Sequence, residues 1–171
     1  MAHSSHAAGP KTGLYTPEER QRRDATVWTL IQGILAPLQF IAFAVSVVLV
    51  LRYMATGEGY AAATVSILVK TGFLYAIMVT GAIWEKVVFG QYLFAPAFFW
   101  EDAVSFVVIG LHTAYLYALF AGIAPWEQML IALAAYVTYV VNAGQFLWKL
   151  RQARLQGEAE DAARTASEVP A

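Results

Sequence analysis

The stretch IWEKVVFGQYLFAPAFFWED, residues 83–102, concentrates the side chains of this chain that could do acid–base chemistry. Glu85 follows Trp84 at one end, Glu101 and Asp102 follow Trp100 at the other, and Phe89, Tyr92, Phe94, Phe98 and Phe99 lie between. Carboxyl groups set against apolar aromatic surface hold their protons more tightly, through desolvation and mutual repulsion. A proton donor working near neutral pH needs that property. The plainer alternative is that the acids only mark where two helices leave a membrane. The seven aromatics in 84–100 suit a large, flat, apolar ligand, or simple anchoring at a membrane interface.

Two further candidates, Lys70 and His112, lie inside long apolar runs. A lysine near the centre of a membrane helix costs about 2.5–3.5 kcal/mol on insertion scales. No carboxylate in the apolar runs lies at its depth, so it either snorkels to the nearer surface or meets an anionic or polar group of a ligand. His112 is the only histidine beyond residue 6. It is a packed hydrogen-bonding residue, an acid/base group or an axial metal ligand, and alone it cannot make a bis-histidine haem site. Polar side chains also recur as stripes: Gln32, Gln39 and Ser46; Ser66 and Lys70; Glu101, Ser105 and His112; Thr138, Asn142, Gln145 and Lys149. Such stripes line a bundle interior that holds water or a polar ligand, or else bond helix to helix at about 0.6 kcal/mol per contact. Pro37 should kink the first run.

The elements that must position these groups follow from composition. Of 171 residues, 59% are hydrophobic and 13% charged, with mean hydropathy +0.54. Soluble domains average about 45–50% apolar and about 25% charged, so the chain reads as all-α and polytopic in a membrane. A hydrocarbon core about 30 Å thick needs roughly 20 apolar residues per helix. Four windows supply them, at about 27–51, 61–83, 103–123 and 129–148, giving a four-helix bundle with 84–102 as an aromatic connection. The tryptophans at 28, 84, 100, 126 and 148 fall at or beside the window ends, where amphipathic rings prefer to sit. Arg20, Arg22, Arg23, Lys86, Lys149, Arg151 and Arg154 gather on one side against Arg52 on the other. Both termini and the 84–102 connection are therefore expected on the cytoplasmic side.

Residues 1–14 read as a disordered polar head, not a secretory signal, and 153–171 as a flexible low-complexity tail, leaving 15–152 as the working domain. Between head and first window, Thr16, Pro17 and Glu19 have the spacing of a helix start, with Thr16 as N-cap. The absence of cysteine excludes disulfides, thiolate-held zinc, iron–sulfur clusters and thiol redox chemistry. No nucleic-acid partner is expected.

The segments LYTPEERQRRDATVWTLIQGILAPLQF, LRYMATGEGYAAAT, IWEKVVFGQYLFAPAFFWED, LHTAYL and YVVNAGQFLWKLR together resemble the 2-vinyl bacteriochlorophyllide hydratase family of bacteriochlorophyll biosynthesis, from about Leu14 to Arg154. The resemblance implies addition of water across the 3-vinyl group of chlorophyllide a, or of the corresponding bacteriochlorophyllide, to give a 3-(1-hydroxyethyl) product. It implies a carbon–oxygen hydro-lyase with no cofactor, the only magnesium being that of the tetrapyrrole substrate. It also implies a home in the bacterial inner or intracytoplasmic photosynthetic membrane, with lipid and other pigment-biosynthesis enzymes as neighbours. On that reading Glu101, with Asp102 or Glu85, supplies the proton donor and the water-activating base. His112 ligates the substrate magnesium or acts as a second acid/base group. Lys70 or Lys86 meets the free propionate, and Gln39, Asn142, Phe94, Phe98 and Trp100 line the substrate site. The competing reading is a non-catalytic pigment-binding or photosystem assembly protein that uses the same aromatic mouth. A small transporter fits less well, because the carboxylates cluster on one side.

Overall fold

The capping chemistry at the chain's start is realised in full. In the computed structural model, which describes residues 13–168, the Thr16 hydroxyl accepts from the Glu19 N–H at 3.2 Å, and the Glu19 carboxylate accepts from the Thr16 N–H at 2.8 Å. That reciprocal pair opens α1, Pro17–Ala25. Thr26 ends it and at once caps α2, Val27–Thr56, by accepting from the Trp28 N–H. Gly57 and Gly59, at φ 74° and 88°, make the short turn into α3, Tyr60–Phe89, where a side chain would oppose the left-handed backbone. Gly90, φ 85°, ends α3; α4 is Phe99–Phe120, and α5 runs Pro125–Glu168.

Four of these five helices are long and apolar enough to cross a membrane. They pack as two antiparallel hairpins, α2 with α3 and α4 with α5, and the ring closes through α3 on α4 and α5 on α2. Valines, leucines and phenylalanines stay exposed along the outer faces, as lipid rather than water requires. The core lies towards the 57–59 and 121–124 turns, where Val50, Ile67, Tyr115, Met129 and Tyr136 pack together. The opposite end, called the mouth below, gathers α1, the 90–98 connection and the end of α5.

Lengths explain the mouth. At about 1.5 Å per residue, the 30 residues of α3 and the 44 of α5 exceed what a bilayer core needs. The last turns of α3 therefore carry Trp84 and Glu85 past the apolar window as helix, and the irregular connection shortens to 90–98. The tail beyond 152 continues α5 as helix to Glu168. Of the polar head, residues 1–12 lie outside the described residues, while Gly13 and Leu14 pack beside α5.

The polar stripes meet one another inside the bundle. Gln32 donates to the Thr80 hydroxyl at 2.6 Å, Ser46 bonds both Ser66 and Tyr136, and the Tyr60 hydroxyl donates to Gln128 at 2.7 Å. The first two tie α2 to α3 and α5, and the third crosses from α3 to α5, so these polar groups act as helix-to-helix bonds.

Candidate active site at the mouth of the bundle

Glu85 near the end of α3 and Asp102 in the first turn of α4 bring two carboxyl groups close enough that each acts on the other's hold on a proton. Both side chains are buried, 5% and 4% exposed. Burial holds both carboxyls above the usual carboxylate range, Glu85 up to about 8 with the Asp102 charge adding to the rise, so the pair favours keeping a proton near neutral pH. The connection closes over it: Phe94 N–H donates to Asp102 Oδ2 at 2.6 Å and Ala95 N–H to Glu85 Oε2 at 3.2 Å. Two consecutive backbone donors reach two different acids because Phe94 sits at φ 58°. A bulky residue in that region costs on the order of 1–3 kcal/mol and persists only where its surroundings fix it. Here the ring stacks on Phe106, 5.5 Å away and 7° from parallel, and tilts against Phe99.

Glu101 has a different setting from its neighbour. Its Oε1 faces Lys149 Nζ of α5 at 3.7 Å, and Asn142 Nδ2, also from α5, donates to the Glu101 backbone carbonyl at 3.2 Å and to Ser105 Oγ at 2.7 Å. Lys149 also donates to the Ala97 carbonyl at 2.7 Å, pinning the connection to α5. Among the described residues, no ion pair involves Glu85 or Asp102.

Phe98 joins this polar group to an aromatic box. Its N–H donates to Ala95 O at 2.8 Å and its carbonyl accepts from Asp102 N–H at 3.0 Å. Its buried ring meets Trp84, Phe89, Phe146 and Tyr15. Trp84 is fixed in turn by donating its indole N–H to Thr29 at 2.9 Å.

Lys70 and His112 are brought together, far from the pair. Both are fully buried, with Lys70 Nζ 2.9 Å from His112 Nε2. His112 Nδ1 lies 2.8 Å from the Val108 carbonyl, which can only accept, so Nδ1 carries the proton and Nε2 accepts from Lys70. Lys70 Nζ lies 3.9 Å from the Tyr139 ring centroid. Magnesium ligation by His112 would require giving up the Lys70 bond and opening a closed interior. Gln39 is buried against Tyr139 with its Oε1 unpartnered. Lys86 is exposed, donates to Gly90 O at 2.7 Å and lies 5.3 Å from the Tyr92 ring centroid. Trp100 is 71% exposed and turns outward.

The sequence therefore places the three acids, Asn142, Phe94 and Phe98 in one region. The Lys70–His112 bond, the Lys149–Glu101 pair and the entry of Tyr15 into the site were not read from it. Only the two seven-residue-like stripes holding Ser105 with His112 and Asn142 with Lys149 hinted that α4 and α5 face each other.

Residues 15–152 match the family model described as 2-vinyl bacteriochlorophyllide hydratase. The chain is 75% identical over 152 residues to a protein of Rhodobacter capsulatus named 2-vinyl bacteriochlorophyllide hydratase, covering 89% of each chain. It is likewise 75% identical to a protein of the same name from Cereibacter sphaeroides, over 89% of this chain and 95% of the relative. No solved structure matches it.

Proposed function

The chain belongs to the 2-vinyl bacteriochlorophyllide hydratase family, and from that premise we propose that its Glu85–Asp102 pair performs the proton transfers of vinyl hydration. The protein is a membrane-embedded hydratase of bacteriochlorophyll biosynthesis, acting on a bacteriochlorophyllide-type tetrapyrrole. In reaction terms it is a hydro-lyase running towards addition, on the 3-vinyl group, with a 3-(1-hydroxyethyl) product.

The steps balance on a pair holding one proton. The protonated carboxyl gives its proton to the terminal vinyl carbon, and the π pair forms the new C–H bond. The positive charge falls on the carbon next to the macrocycle, whose conjugation spreads it. Water attacks that carbon, and the proton it loses passes to the now doubly ionised pair, which returns to its starting state. No electron is exchanged, so the chemistry calls for no redox cofactor, and the magnesium belongs to the substrate. General acid–base catalysis of this kind contributes about 10²–10⁴-fold.

The observation carrying this reading is the buried pair of neighbouring carboxyls, each accepting a backbone N–H of the connection, from Ala95 and Phe94. Glu101, already opposite Lys149, serves as the charged neighbour and not as the donor. The partly exposed Phe94, Phe99 and Phe106 rings offer the macrocycle a flat platform on the rim. Lys86, exposed at the rim, can exchange its Gly90 bond for a propionate from solvent, in contrast to the buried Lys70. The basic residues around the mouth favour a cytoplasmic orientation, in the photosynthetic membrane where the pigment is made.

The test is to incubate membranes carrying this chain with chlorophyllide a and look for a product heavier by one water, with a blue-shifted red absorption band. Product formed without added cofactor supports the hydratase. Pigment bound but unchanged, where a known hydratase turns over, would establish a pigment-binding protein instead.

A further inference from the structure

Resting on that reading of the carboxyl pair, we infer that Gln156 and Tyr15 are positioning residues, a clasp outside the membrane that sets the geometry of the loop holding Glu85 and Asp102. Gln156 lies on the part of α5 beyond the matched family region. Its Oε1 accepts from the N–H groups of Leu14 and Tyr15 at 2.8 and 3.4 Å, and its Nε2 donates to the Tyr15 carbonyl at 3.0 Å. One side-chain amide thus reads a peptide backbone as a neighbouring strand would, across 141 residues of sequence. The fit is close: a Cβ on Gly13 would collide with the Gln156 amide.

The held segment reaches the site through rings. Tyr15, 8% exposed, stacks on Phe89 with centroids 5.8 Å apart at 9°, and meets Phe98 at 6.5 Å. Arg23 covers Tyr15 at 4.8 Å. Phe98 then bonds Ala95 and Asp102 through its backbone, and Ala95 bonds Glu85. A shift of the Tyr15 ring therefore moves both acids relative to each other. Misplacing a catalytic group by about 1 Å costs up to about 100-fold in rate. Burial pushes the Tyr15 hydroxyl up to about 12, with Arg23 opposing in part, so Tyr15 stays neutral across any working pH. Among the described residues, the charge acting on Asp102, Glu101 of α4, and its partner Lys149 of α5 make no contact with Gln156 or Tyr15.

The experiment compares Gln156→Ala, the milder Gln156→Asn, Tyr15→Ala and Tyr15→Phe in the full chain in membranes. It reads kcat, KM, the pH–rate profile, and the infrared carbonyl stretch of the protonated pair, identified by its loss in Glu85→Gln. Expected for Gln156→Ala, Gln156→Asn and Tyr15→Ala is a kcat reduced by up to about 100-fold with KM little changed. A displaced pH profile and a shifted infrared band should accompany it, while Tyr15→Phe, which keeps the stack, stays near wild type. Folded Gln156→Ala or Gln156→Asn protein with an unshifted band and an unchanged profile overturns the clasp, whatever its yield or thermal stability. A shifted band in a chain whose wild type shows no hydration would uphold the clasp and overturn the hydratase reading instead.

Discussion

On the proposed assignment Glu85 and Asp102 work as one group, and their loss should read that way. Glu85→Gln or Asp102→Asn each removes the exchange of a proton within the pair, so each should lower hydration by about 10²–10⁴-fold. The double variant should be no worse than the weaker single, as residues working as a unit are non-additive. The pH–rate profile should be bell-shaped. Raising pH strips the last proton and removes the donor; lowering it protonates both carboxyls and removes the base, so the limbs report the pair and not either residue. Full activity in Glu85→Gln membranes would sink the assignment. Lys70 calls for a different expectation. Lys70→Met leaves His112 Nε2 buried without its donor, which should cost about 1–3 kcal/mol of stability, measurable by thermal unfolding in detergent, with pigment affinity unchanged. Weaker pigment binding without lost stability would return Lys70 to the substrate. The acids were legible in sequence because three carboxylates flank one short aromatic stretch of an otherwise apolar chain. The Lys70–His112 bond was not, because it depends on how far α3 slides along α4, which no periodicity within either helix encodes.

At the scale of elements, four apolar windows and a capping box marked most helices, since hydrophobic length and N-terminal hydrogen bonding are local properties. The ends were harder to read. Trp84 and Glu85 looked like the start of a connection, yet α3 continues to a glycine that can take the left-handed turn. The Ala- and Glu-rich segment after Arg154 looked like a tail by composition, yet composition of that kind also propagates a helix already begun. The backbone turn at Phe94 gave no signal, because a bulky residue at positive φ runs against its own preference. Phe94→Gly should relieve that strain while keeping the N–H on Asp102. We expect stability to hold or rise and kcat to persist. KM for the pigment should increase as the Phe106 stack and its platform disappear. A collapse of kcat at unchanged KM would show instead that the ring orients the acids.

For the whole molecule, the four crossings put α1, the 90–98 connection and the end of α5 on one side and the two short turns on the other. The chain contains no cysteine, so single cysteines at Glu58 and Gln91 can be labelled without background. In sealed vesicles a membrane-impermeant thiol reagent should reach one and not the other, with Gln91→Cys protected or exposed together with a tag at the C-terminus. Equal labelling of both positions from one side would overturn the topology.

The ring of helices also has a seam. Each hairpin brings one half of the acid pair, Glu85 from α2–α3 and Asp102 from α4–α5, and the only covalent link between hairpins is the short loop that caps both carboxyls. Neither half can share a proton alone. On the proposed assignment, catalysis is conditional on quaternary-like docking within a single polypeptide: a hairpin without its companion holds only one carboxyl of the pair.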